Sequence, residues 1–515
     1  MQWQKDRKGI TMQYILNASQ MKQLDAYTIE EIGIPSMVLM ERAALAVADA
    51  VSAGLPSPAK IAAVCGVGNN GGDGVAAARI LRARGYEAAI IVVGDQGKAS
   101  QQMKQQLEIA RHFQIPILNQ IEENEYNGII DALFGIGITR EIEGEYAEAV
   151  AWMNRQKALR FSVDMPSGIH TDNGSVCGIA VKAHVTITFG YEKPGLLFYP
   201  GRDYAGKVLV ADIGFPKDAY MAEVLQPKQI SYGREELQRM PERPSYSHKG
   251  TFGRVLIIAG SEGMSGACVM AAKAAYRIGA GLVQVLTTSC NRMIVQTALP
   301  EAVVTTYEDV CEIEKLEEAY EAASAIVAGP GLGKSEGSLA LVQDVLSLQE
   351  KYQGSKPLVL DADALNLLAE QTFWKEKEQD FQMPSGCILT PHAKELARLL
   401  DVGVAEVKQD FLPKIEEMQT RLPGSVLVAK DACTVVSAED FLYLNRSGCE
   451  AMATGGSGDV LAGILGGLLA QGLFLSEAAR LGTYVHGLAG EAAAEKRAGF
   501  SVLAGDIIES IGCWK

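Results

Sequence analysis

The chain has little positive charge for its length, and its acidic residues outnumber its basic ones. Lys and Arg together number 47 against 62 Asp and Glu, which gives a formal net charge of −15 over 515 residues. Nucleic acids and anionic membranes favour clustered Lys and Arg, so the composition argues against both as partners. Any phosphate-bearing ligand must therefore be held mainly by local backbone groups.

No cysteine pattern indicates a metal site or a disulfide framework. The nine cysteines include no C-x-x-C pair and no metal-ligand spacing, and Cys65, Cys268 and Cys387 lie among apolar neighbours. Such cysteines are typical of buried, reduced thiols in a cytosolic protein.

The sequence also offers no secretory or membrane-spanning segment. Residues 1–15 are polar and charged, without the apolar core of a signal peptide. The longest apolar stretch, Val460–Leu475, is short for a membrane span and contains several glycines. We therefore predict a buried helix there and a cytoplasmic protein.

Apolar residues and glycine are abundant instead. Hydrophobic residues make up 48% of the chain, charged residues only 21%, and there are 53 glycines. This composition predicts a well-packed globular protein rather than a disordered one. A chain of this length is too long for one core. We predict two domains, 1–228 and 229–515, because residues 214–249 between them are rich in proline and charge.

Predicted strands alternate with predicted helices in both halves, which is the pattern of α/β domains with a parallel sheet covered on both faces. The amino-terminal half has helices at Ser19–Ile32, Ser36–Ala53, Val75–Arg84 and Tyr146–Arg155, and strands at Lys60–Val67, Ala88–Val93, Gly128–Leu133, Phe161–Asp164 and Val185–Phe189. The carboxy-terminal half has strands at Arg254–Ala259, Leu282–Leu286, Ala325–Ala328, Leu358–Leu360, Cys387–Thr390 and Val426–Ala429, with a helix at Ala267–Ile278 and a final helix near Asp459.

Three polar, glycine-containing loops follow predicted strands in the amino-terminal half: Gly66–Gly74, Asp131–Gly137 and Asp164–Gly168. Open α/β sheets bind ligands at the carboxyl ends of their strands. Glycine lets the backbone approach a ligand closely, and the amides at a helix start favour phosphate. The three loops therefore predict a ligand site at one sheet edge.

Two alternatives remain open for this half from the residues alone. Gly66, Gly68 and Gly71 also match G-x-G-x-x-G, with Asp95 after the next strand, which is the fingerprint of a redox Rossmann domain. The domain could also only bind a ligand or partner and regulate its neighbour.

The strings GNNGGDG, DALFGIG and DMPSG together resemble the NAD(P)H-hydrate epimerase family, which has a Rossmann-like fold, over residues 14–224. The resemblance implies that a potassium ion is held by Asn70, Asp131 and Ser167, whose hard oxygens suit an alkali cation. It also implies contacts with the hydrated cofactor at Asn69, Asn70, Gly71, Gly72, Asp73, Gly135, Ile136, Gly137, Ile138, Thr139, Arg140, Glu141 and Asp164.

Asp164 is our candidate acid/base in this site. The hydrate is a hemiaminal, and its carbon can invert through loss and return of the hydroxyl or through ring opening. Either route needs a proton transfer at oxygen or nitrogen, for which a nearby carboxylate is suited.

The clearest signal in the carboxy-terminal half is Ala453–Asp459, a glycine-rich turn that runs into an apolar helix. Its backbone amides could neutralise charge on a transferring phosphoryl group. Asp459 is placed to accept a proton from an attacking hydroxyl, with a plain helix N-cap as the alternative. Further polar loops follow other predicted strands, at Gly260–Gly266, Gly329–Gly333, Asp361–Leu365 and Thr390–Glu395.

Two side chains near these loops allow both a functional and a structural interpretation. His392 lies at a strand end, which favours binding, although a lone histidine is usually structural. Lys430 ends a predicted strand and could reach a nucleotide phosphate, or could be an ordinary surface lysine.

These motifs resemble the NAD(P)H-hydrate dehydratase family, a ribokinase-like fold, from about residue 233 to 515. The resemblance implies hydrate contacts at Ala267, Gly331, His392 and Asp459. It implies adenine-nucleotide contacts at Lys430, Asp431, Ala432, Cys433, Thr434 and Gly458. The chain departs from the family at Asp431, where glycine is usual, and this places a negative charge beside the expected phosphate site.

Together the two resemblances imply repair of hydrated NADH and NADPH. One half would interconvert the R and S hydrates, and the other would dehydrate the S form with ADP or ATP and magnesium, ADP being favoured. Phosphorylation turns the hydrate's hydroxyl into a good leaving group. We expect a homo-oligomer. The alternative is a vitamin or sugar kinase fused to a Rossmann dinucleotide-binding or regulatory domain.

Overall fold

The computed structural model describes residues 4–5, 11–121, 124–216, 225–371, 374 and 383–514. Part of the amino-terminal stretch and part of the proline-rich boundary region used above therefore lie outside the described residues. The chain divides into two compact units, which consist mainly of Gln13–Gln229 (unit 1) and Ile230–Lys515 (unit 2). Three short strands are Gln4–Lys5, Thr11–Tyr14 and Gln229–Ser231.

Unit 1 contains a seven-stranded sheet in which all neighbouring strands are parallel. Its strands, in spatial order, are Ile117–Leu118, Glu87–Val92, Lys60–Cys65, Gly128–Ala132, Leu159–Val163, Val185–Phe189 and Lys207–Ala211. The helices are Ala18–Glu30, Ser36–Gly54, Asn69–Ala83, Gln101–His112, Gly144–Arg155 and Gly201–Ala205. The strand that follows Lys60–Cys65 in the chain, Glu87–Val92, lies on one side of it, and a later strand, Gly128–Ala132, lies on the other. Such a reversal of strand order opens a crevice at the carboxyl end of the central strand.

Both faces of this sheet are buried, as predicted. Ile61, Ala63 and Cys65 belong to one hydrophobic core, whereas Ala62 and Val64 belong to the core on the opposite face. Successive side chains of a strand point to opposite faces, so a continuous apolar run is what a strand covered by helices on both sides requires.

The helix that follows this strand begins at Asn69, not at Val75 as predicted. The glycine-rich string therefore forms the first turns of the helix rather than a loop. A Cβ at Gly71 would lie 1.8 Å from the Gly66 carbonyl oxygen, and one at Gly74 would lie 2.4 Å from the Ala132 Cβ. Glycine is required here because the helix presses directly against the sheet.

Unit 2 contains a larger sheet that is parallel over most of its width. Its main strands, in spatial order, are Phe441–Leu444, Val435–Ala438, Val426–Ala429, Cys387–Leu389, Leu358–Leu360, Ala325–Ala328, Arg254–Ile258, Leu282–Thr288 and Val303–Tyr307. Val435–Ala438 is antiparallel to both of its neighbours, Phe441–Leu444 and Val426–Ala429. The sequence did not indicate Val435–Ala438 or Phe441–Leu444, which extend this side of the sheet.

The helices of unit 2 surround this sheet. They are Ser265–Arg277, Arg292–Ala298, Ile313–Ala322, Glu336–Lys351, Asp363–Glu370, Ala393–Leu400, Val404–Gln409, Phe411–Gln419, Ser457–Ala470, Leu475–Lys496 and Ala504–Ser510. The sequence predicted that the helix starting near Asp459 is the last one. This is wrong, because the helices Leu475–Lys496 and Ala504–Ser510 follow it. It is buried from Val460 to Ala470, which confirms the prediction of a buried helix.

Two further expectations can be compared with the structure. No helix in the described parts of the chain is long and apolar enough to cross a membrane. Cys65, Cys268 and Cys387 are buried free thiols, as predicted.

The crossing of two helices in unit 2 depends on Gly463, where a Cβ would lie 2.1 Å from the Ala271 carbonyl oxygen. Gly463→Ala should lower the free energy of unfolding by about 1–3 kcal/mol, because the helices must separate. Gly505→Ala is the matched control, since a Cβ there meets nothing within 4 Å. Denaturant unfolding of the two variants measures the difference, and equal midpoints would contradict this account of the crossing.

Candidate active sites

Unit 1 has a pocket of about 510 Å³ at the carboxyl ends of its strands. The predicted site residues that line it are Asn69, Asn70, Asp73, Gly135, Ile136, Gly137 and Asp164. Apolar side chains complete the wall, among them Met40, Phe134 and Phe215. The pocket therefore combines a few polar groups with an apolar lining, as small-molecule sites do.

The other predicted residues of this site do not line the pocket. They are Gly71, Gly72, Ile138, Thr139, Arg140 and Glu141. Gly71 and Gly72 face inwards, where a Cβ on Gly72 would lie 2.8 Å from the Met40 Cε. These two glycines thus serve helix packing, and ligand contacts at the six positions stay predictions.

Asp164 holds its carboxylate in an uneven environment. Its φ of 66° is a left-handed conformation that is uncommon outside glycine. Its Oδ1 accepts hydrogen bonds from Lys193 Nζ at 2.6 Å, Thr188 Oγ1 at 3.2 Å and the Phe189 N–H at 3.3 Å. Three donors from the strand Val185–Phe189 and the turn after it therefore fix this carboxylate.

Lys193 was missed by the sequence analysis. Its side chain is fully buried, and Nζ also donates to Thr188 Oγ1 at 2.7 Å and to the Phe189 carbonyl at 3.0 Å. Burial lowers the pKa of its ammonium group, while the Asp164 carboxylate acts in the opposite direction. The apolar residues that follow it, Pro194–Phe198, were the one signal in the sequence that this lysine is buried.

Two more carboxylates line the same pocket. Partial desolvation by the surrounding protein raises the pKa of both Asp73 and Asp25, and the charge of Asp164 raises each further. Asp25 lies on the first helix of unit 1 and was not predicted as a site residue. The pocket thus carries three carboxylates, with Lys22 on its lining and the buried Lys193 bound to Asp164.

Two of the three predicted potassium ligands, Asp131 and Ser167, are hydrogen-bonded to each other. Asp131 is fully buried and accepts hydrogen bonds from Ser167 Oγ at 2.5 Å, the Ser167 N–H at 2.9 Å and Ser162 Oγ at 2.7 Å. Burial raises the pKa of Asp131, and these hydrogen bonds partly offset that effect.

The third predicted ligand, Asn70, has its amide oxygen at Gly135, the residue after Phe134, whose N–H donates to Ser167 Oγ. A Cβ at Gly135 would lie 3.0 Å from Asn70 Oδ1, and the other end of this amide is buried without a hydrogen-bond partner within the described residues. No basic side chain is paired with Asp131 in the part of the chain that the structure describes. A buried carboxylate beside hydroxyl and amide oxygens is a donor set that fits a hard monovalent cation.

In unit 2 the predicted loops also meet at the carboxyl ends of the strands. Lys430 Nζ donates to Asp361 Oδ1 at 2.6 Å, and the same oxygen accepts from Thr390 Oγ1 at 2.7 Å. A Cβ at Gly458 would lie 3.4 Å from Lys430 Nζ, which places the ammonium group beside the glycine-rich turn. Lys430 is therefore not an ordinary surface lysine.

Asp459 lies in the first turn of the helix Ser457–Ala470. Burial, and then the negative charge of Asp361, raises its pKa to about 6. It makes no side-chain cap in the structure, since the N-cap residue is Gly456 with a φ of 89°. The alternative interpretation of Asp459 as a plain N-cap is therefore wrong.

The turn before Asp459 has a support that the sequence did not reveal. Ser457 Oγ lies 3.3 Å from Nε2 of His486, on the helix Leu475–Lys496. Burial, with the positive charge of Lys430, lowers the pKa of His486 to about 4, so this imidazole is neutral near pH 7. Ser457 and His486 are 29 residues apart in the chain, which is why no local pattern connects them.

His392 has a structural role as well as a place at the site. It is the N-cap of the helix Ala393–Leu400, where its Nδ1 accepts from the Glu395 N–H at 3.1 Å and Glu395 accepts from the His392 N–H at 2.9 Å. Its side chain is still 48% exposed, so a ligand can reach the ring. Burial raises the pKa of Glu395 to about 7.

The remaining predicted residues of unit 2 differ in whether their side chains are accessible to a ligand. Ala267 and Gly331 are neighbours, since a Cβ on Gly331 would lie 2.8 Å from the Ala267 Cβ. In the predicted nucleotide stretch, Asp431 and Ala432 are exposed, whereas Cys433 is buried with its thiol donating to the Asn445 carbonyl. Only the backbone of Cys433 can therefore contact a ligand.

The fold and these two sites define an α/β enzyme with a Rossmann-like unit followed by a ribokinase-like unit, each with polar groups and glycines at its strand ends. The family described as YjeF-related protein N-terminus matches residues 36–195, and the family described as NAD(P)H-hydrate dehydratase matches residues 255–512.

Curated relatives cover nearly the whole chain. A bifunctional NAD(P)H-hydrate repair enzyme Nnr from Coxiella burnetii is 36% identical over 95% of this chain and 96% of its own length. The corresponding enzyme from Escherichia coli is 35% identical over 93% of this chain and 90% of its own. A solved ADP/ATP-dependent NAD(P)H-hydrate dehydratase from Bacillus subtilis, co-crystallised with ATP/Mg2+, is 30% identical over 54% of this chain and 94% of its own, with a TM-score of 0.46.

The chain belongs to the family of bifunctional NAD(P)H-hydrate repair enzymes. It is an enzyme with an epimerase half and a dehydratase half. This confirms the resemblance drawn from the sequence, and it rules against the alternatives of a redox dehydrogenase, a purely regulatory domain and a vitamin or sugar kinase.

The pairing of Lys430 with Asp361 gives a testable prediction. Lys430→Met leaves Asp361, which is only 1% exposed, without this cation and should lower the free energy of unfolding by about 3–5 kcal/mol. Adding Asp361→Asn should recover more than half of that loss. Lys334→Met is the control, because it breaks an exposed pair with Glu370 and should cost less than about 1 kcal/mol. Denaturant unfolding compares them, and equal losses at Lys430 and Lys334 would refute the buried pair.

Proposed function

We propose that residues 1–228 interconvert the R and S hydrates of NADH and NADPH in the pocket of unit 1. We propose that residues 229–515 dehydrate the S form at the strand ends where Lys430 and Asp459 lie. This dehydration is coupled to hydrolysis of ADP or ATP with magnesium. The observation that supports this most strongly is the convergence of separate strand-end loops on one place in each unit. Folding alone does not require such convergence.

In the epimerase site, Asp164 is the proposed acid/base. It lines the pocket, and three donors hold one of its carboxylate oxygens. Asn69, Asn70 and Asp73 line the same pocket and are proposed to bind the hydrated cofactor. The apolar wall excludes water from the reacting carbon, which strengthens electrostatic interactions within the pocket.

In the dehydratase site, Asp459 is the proposed base that takes the proton of the hydrate's hydroxyl as that oxygen attacks the terminal phosphoryl group. Its pKa of about 6 leaves most of the carboxylate ionised and able to accept a proton at neutral pH. The C–O bond of the phosphorylated oxygen then breaks as the ring nitrogen's electron pair forms a C=N bond. Loss of a proton from the adjacent ring carbon forms the ring C=C bond and returns that electron pair to nitrogen.

The proposed nucleotide site lies where Lys430 and Gly458 meet. A Cβ at Gly455 would meet nothing within 4 Å, so there is open space beside the turn at this residue. These amides and the helix start favour the charge of a transferring phosphoryl group. Ala267, Gly331 and His392 are proposed to hold the hydrate at the neighbouring strand ends.

A potassium ion is proposed at Asn70, Asp131 and Ser167. When bound it supplies a positive charge beside the cofactor's pocket. The residues themselves hold the loop Phe134–Gly135 in place, because Ser167 Oγ accepts from the Phe134 N–H at 2.9 Å.

We further propose a cytoplasmic homo-oligomer. The buried free thiols fit a reducing compartment. Met293 and Ile294 are exposed beside the strand Val303–Tyr307, which lies at the edge of its sheet, and self-association would cover them.

Single substitutions should separate the two activities. With a mixture of R and S hydrates of NADH plus ADP, the intact chain should restore all of the reduced-nicotinamide absorbance. Asp164→Asn should stop at the share of the S form, and Asp459→Asn should lower the dehydration rate by about 10²–10⁴-fold. The same assay with ATP in place of ADP decides the preferred nucleotide. Full conversion by Asp164→Asn at the normal rate would refute its role.

Potassium binding should be visible without any turnover. Replacing NaCl by KCl at constant ionic strength should raise the thermal midpoint of the chain, because a ligand that binds only the folded state stabilises it. Asp131→Asn should abolish the difference between the two salts, whereas the exposed control Asp203→Asn should retain it. Equal midpoints of the unmodified chain in both salts would argue against the site.

A further inference from the structure

Lys193 is unusual among the charged side chains of unit 1. It is fully buried, and its three N–H groups have three acceptors: Asp164 Oδ1 at 2.6 Å, Thr188 Oγ1 at 2.7 Å and the Phe189 carbonyl at 3.0 Å. An ammonium group in such a place costs several kcal/mol of lost hydration unless it is paired and hydrogen-bonded. Its geometry is therefore fixed, and it has no N–H left to donate to a ligand.

The consequence falls on Asp164. Lys193, Thr188 and the Phe189 N–H all bind its Oδ1, whereas Oδ2 lies on the side of the Gly135 loop, 3.5 Å from where a Cβ of Gly135 would be. Both Gly135 and Asp164 line the pocket. One oxygen of the carboxylate thus belongs to the interior, and the other is directed to the ligand.

We propose that Lys193 is the positioning residue of the epimerase: it engages Oδ1 of Asp164 and so fixes Oδ2 as the atom that takes the proton of the hydrate's hydroxyl. This inference rests on the proposed acid/base role of Asp164 and adds to it. Asp25 and Asp73 line the pocket with Asp164, and Glu192 precedes Lys193 in the chain. The exposed Lys22 also lines the pocket, so Lys193 is the buried cation beside these carboxylates.

The direction of the first proton transfer selects between the two routes of inversion. A carboxylate in an ion pair takes the hydroxyl proton: the O–H bond breaks, the oxygen's electron pair forms a C=O bond, and the C–N bond breaks with its pair moving to the ring nitrogen. The proton then passes from Oδ2 to that nitrogen, which before the C–N bond broke was attached to the same carbon as the hydroxyl. Rotation and the reverse steps give the other epimer, with no net gain or loss of atoms or charge.

The test measures interconversion of the purified R hydrate by the full chain without nucleotide. Lys193→Met keeps the volume and removes the charge, and kcat should fall about 100-fold while KM changes less than about threefold. Asp164→Asn alone should lower kcat at least as far as Lys193→Met does, because Lys193 acts only through Asp164. Lys182→Met is the matched control from the surface of the same unit and should match the unmodified chain.

The outcomes distinguish this inference from the role of Asp164 itself. If Asp164→Asn retains full activity, the proposed acid/base is wrong. If Asp164→Asn is inactive while Lys193→Met keeps its kcat, or if Lys193→Met raises KM alone, only the positioning role is overturned. Should thermal unfolding show that Lys193→Met does not fold, Thr188→Val takes its place. It removes one donor to Oδ1 and one acceptor of Lys193, and it should lower kcat about fivefold; an unchanged kcat would refute the proposal.

Oxygen labelling tests the direction of the proton. In H₂¹⁸O, ring opening leaves the original oxygen on the carbon, so inversion should outpace label uptake. Uptake of one solvent oxygen for every inversion would mean that hydroxide leaves first, and it would overturn the assignment of Oδ2 as a base.

Discussion

A lysine bound to a buried aspartate lies at the carboxyl ends of the strands in each unit. Lys193 donates to Asp164 in unit 1, and Lys430 donates to Asp361 in unit 2, both at 2.6 Å. Neither charge could stay at its depth alone, because an isolated ion loses its hydration without compensation. Each pair therefore holds together two strand ends, and the polar groups of the site are arranged around it.

The two pairs have different consequences for their neighbours. In unit 1 the pair uses one carboxylate oxygen of Asp164, the proposed acid/base itself. In unit 2 the paired Asp361 is a neighbour, and its negative charge adds to burial in raising the pKa of Asp459 to about 6. The lysine of unit 1 thus binds the proposed acid/base Asp164 directly. The lysine of unit 2 binds Asp361, whose charge acts on the proposed base Asp459.

Glycine determines how closely the backbone can approach these pairs. At Gly71 a Cβ would lie 1.8 Å from the Gly66 carbonyl oxygen, so the helix start could not reach the strand end with any other residue. Gly456, with a φ of 89°, makes the turn that places Asp459 beside Lys430. In a chain with a net charge of −15, such turns provide the amide donors that basic side chains would otherwise supply.

The sequence predicted the strands best, and the physical reason is burial on both faces. Ala325–Ala328, Leu358–Leu360 and Val426–Ala429 have the predicted bounds, because a continuous apolar run of three or four residues between polar or glycine turns is too short for a helix. The helix start at Asn69 was missed, since glycine has a low helix propensity and only tertiary contact makes it necessary there. The family resemblance identified the glycine-rich loops because each is a short motif of consecutive residues in the sequence.

Partners that are distant in the chain could not be predicted in this way. Asp164 and Lys193 are 29 residues apart, and Asp361 and Lys430 are 69 apart, so neither contact leaves a pattern within one element. The sequence placed Lys430 near a phosphate, but only the fold shows that an aspartate already binds its ammonium group. What the sequence can identify is a residue's position at a strand end; the residue it meets there depends on the order of strands in the sheet.

That order also explains why one chain can carry two independent chemistries. The site in unit 1 is built from side chains between Met21 and Phe215, and the one in unit 2 from side chains between Ala267 and His486. The named groups of each proposed site come from the strand ends of one sheet. A dehydratase that consumes one epimer only depends on a supply of that epimer, and an epimerase on the same chain provides it at a fixed ratio of the two activities. The fusion therefore couples the two reactions by stoichiometry.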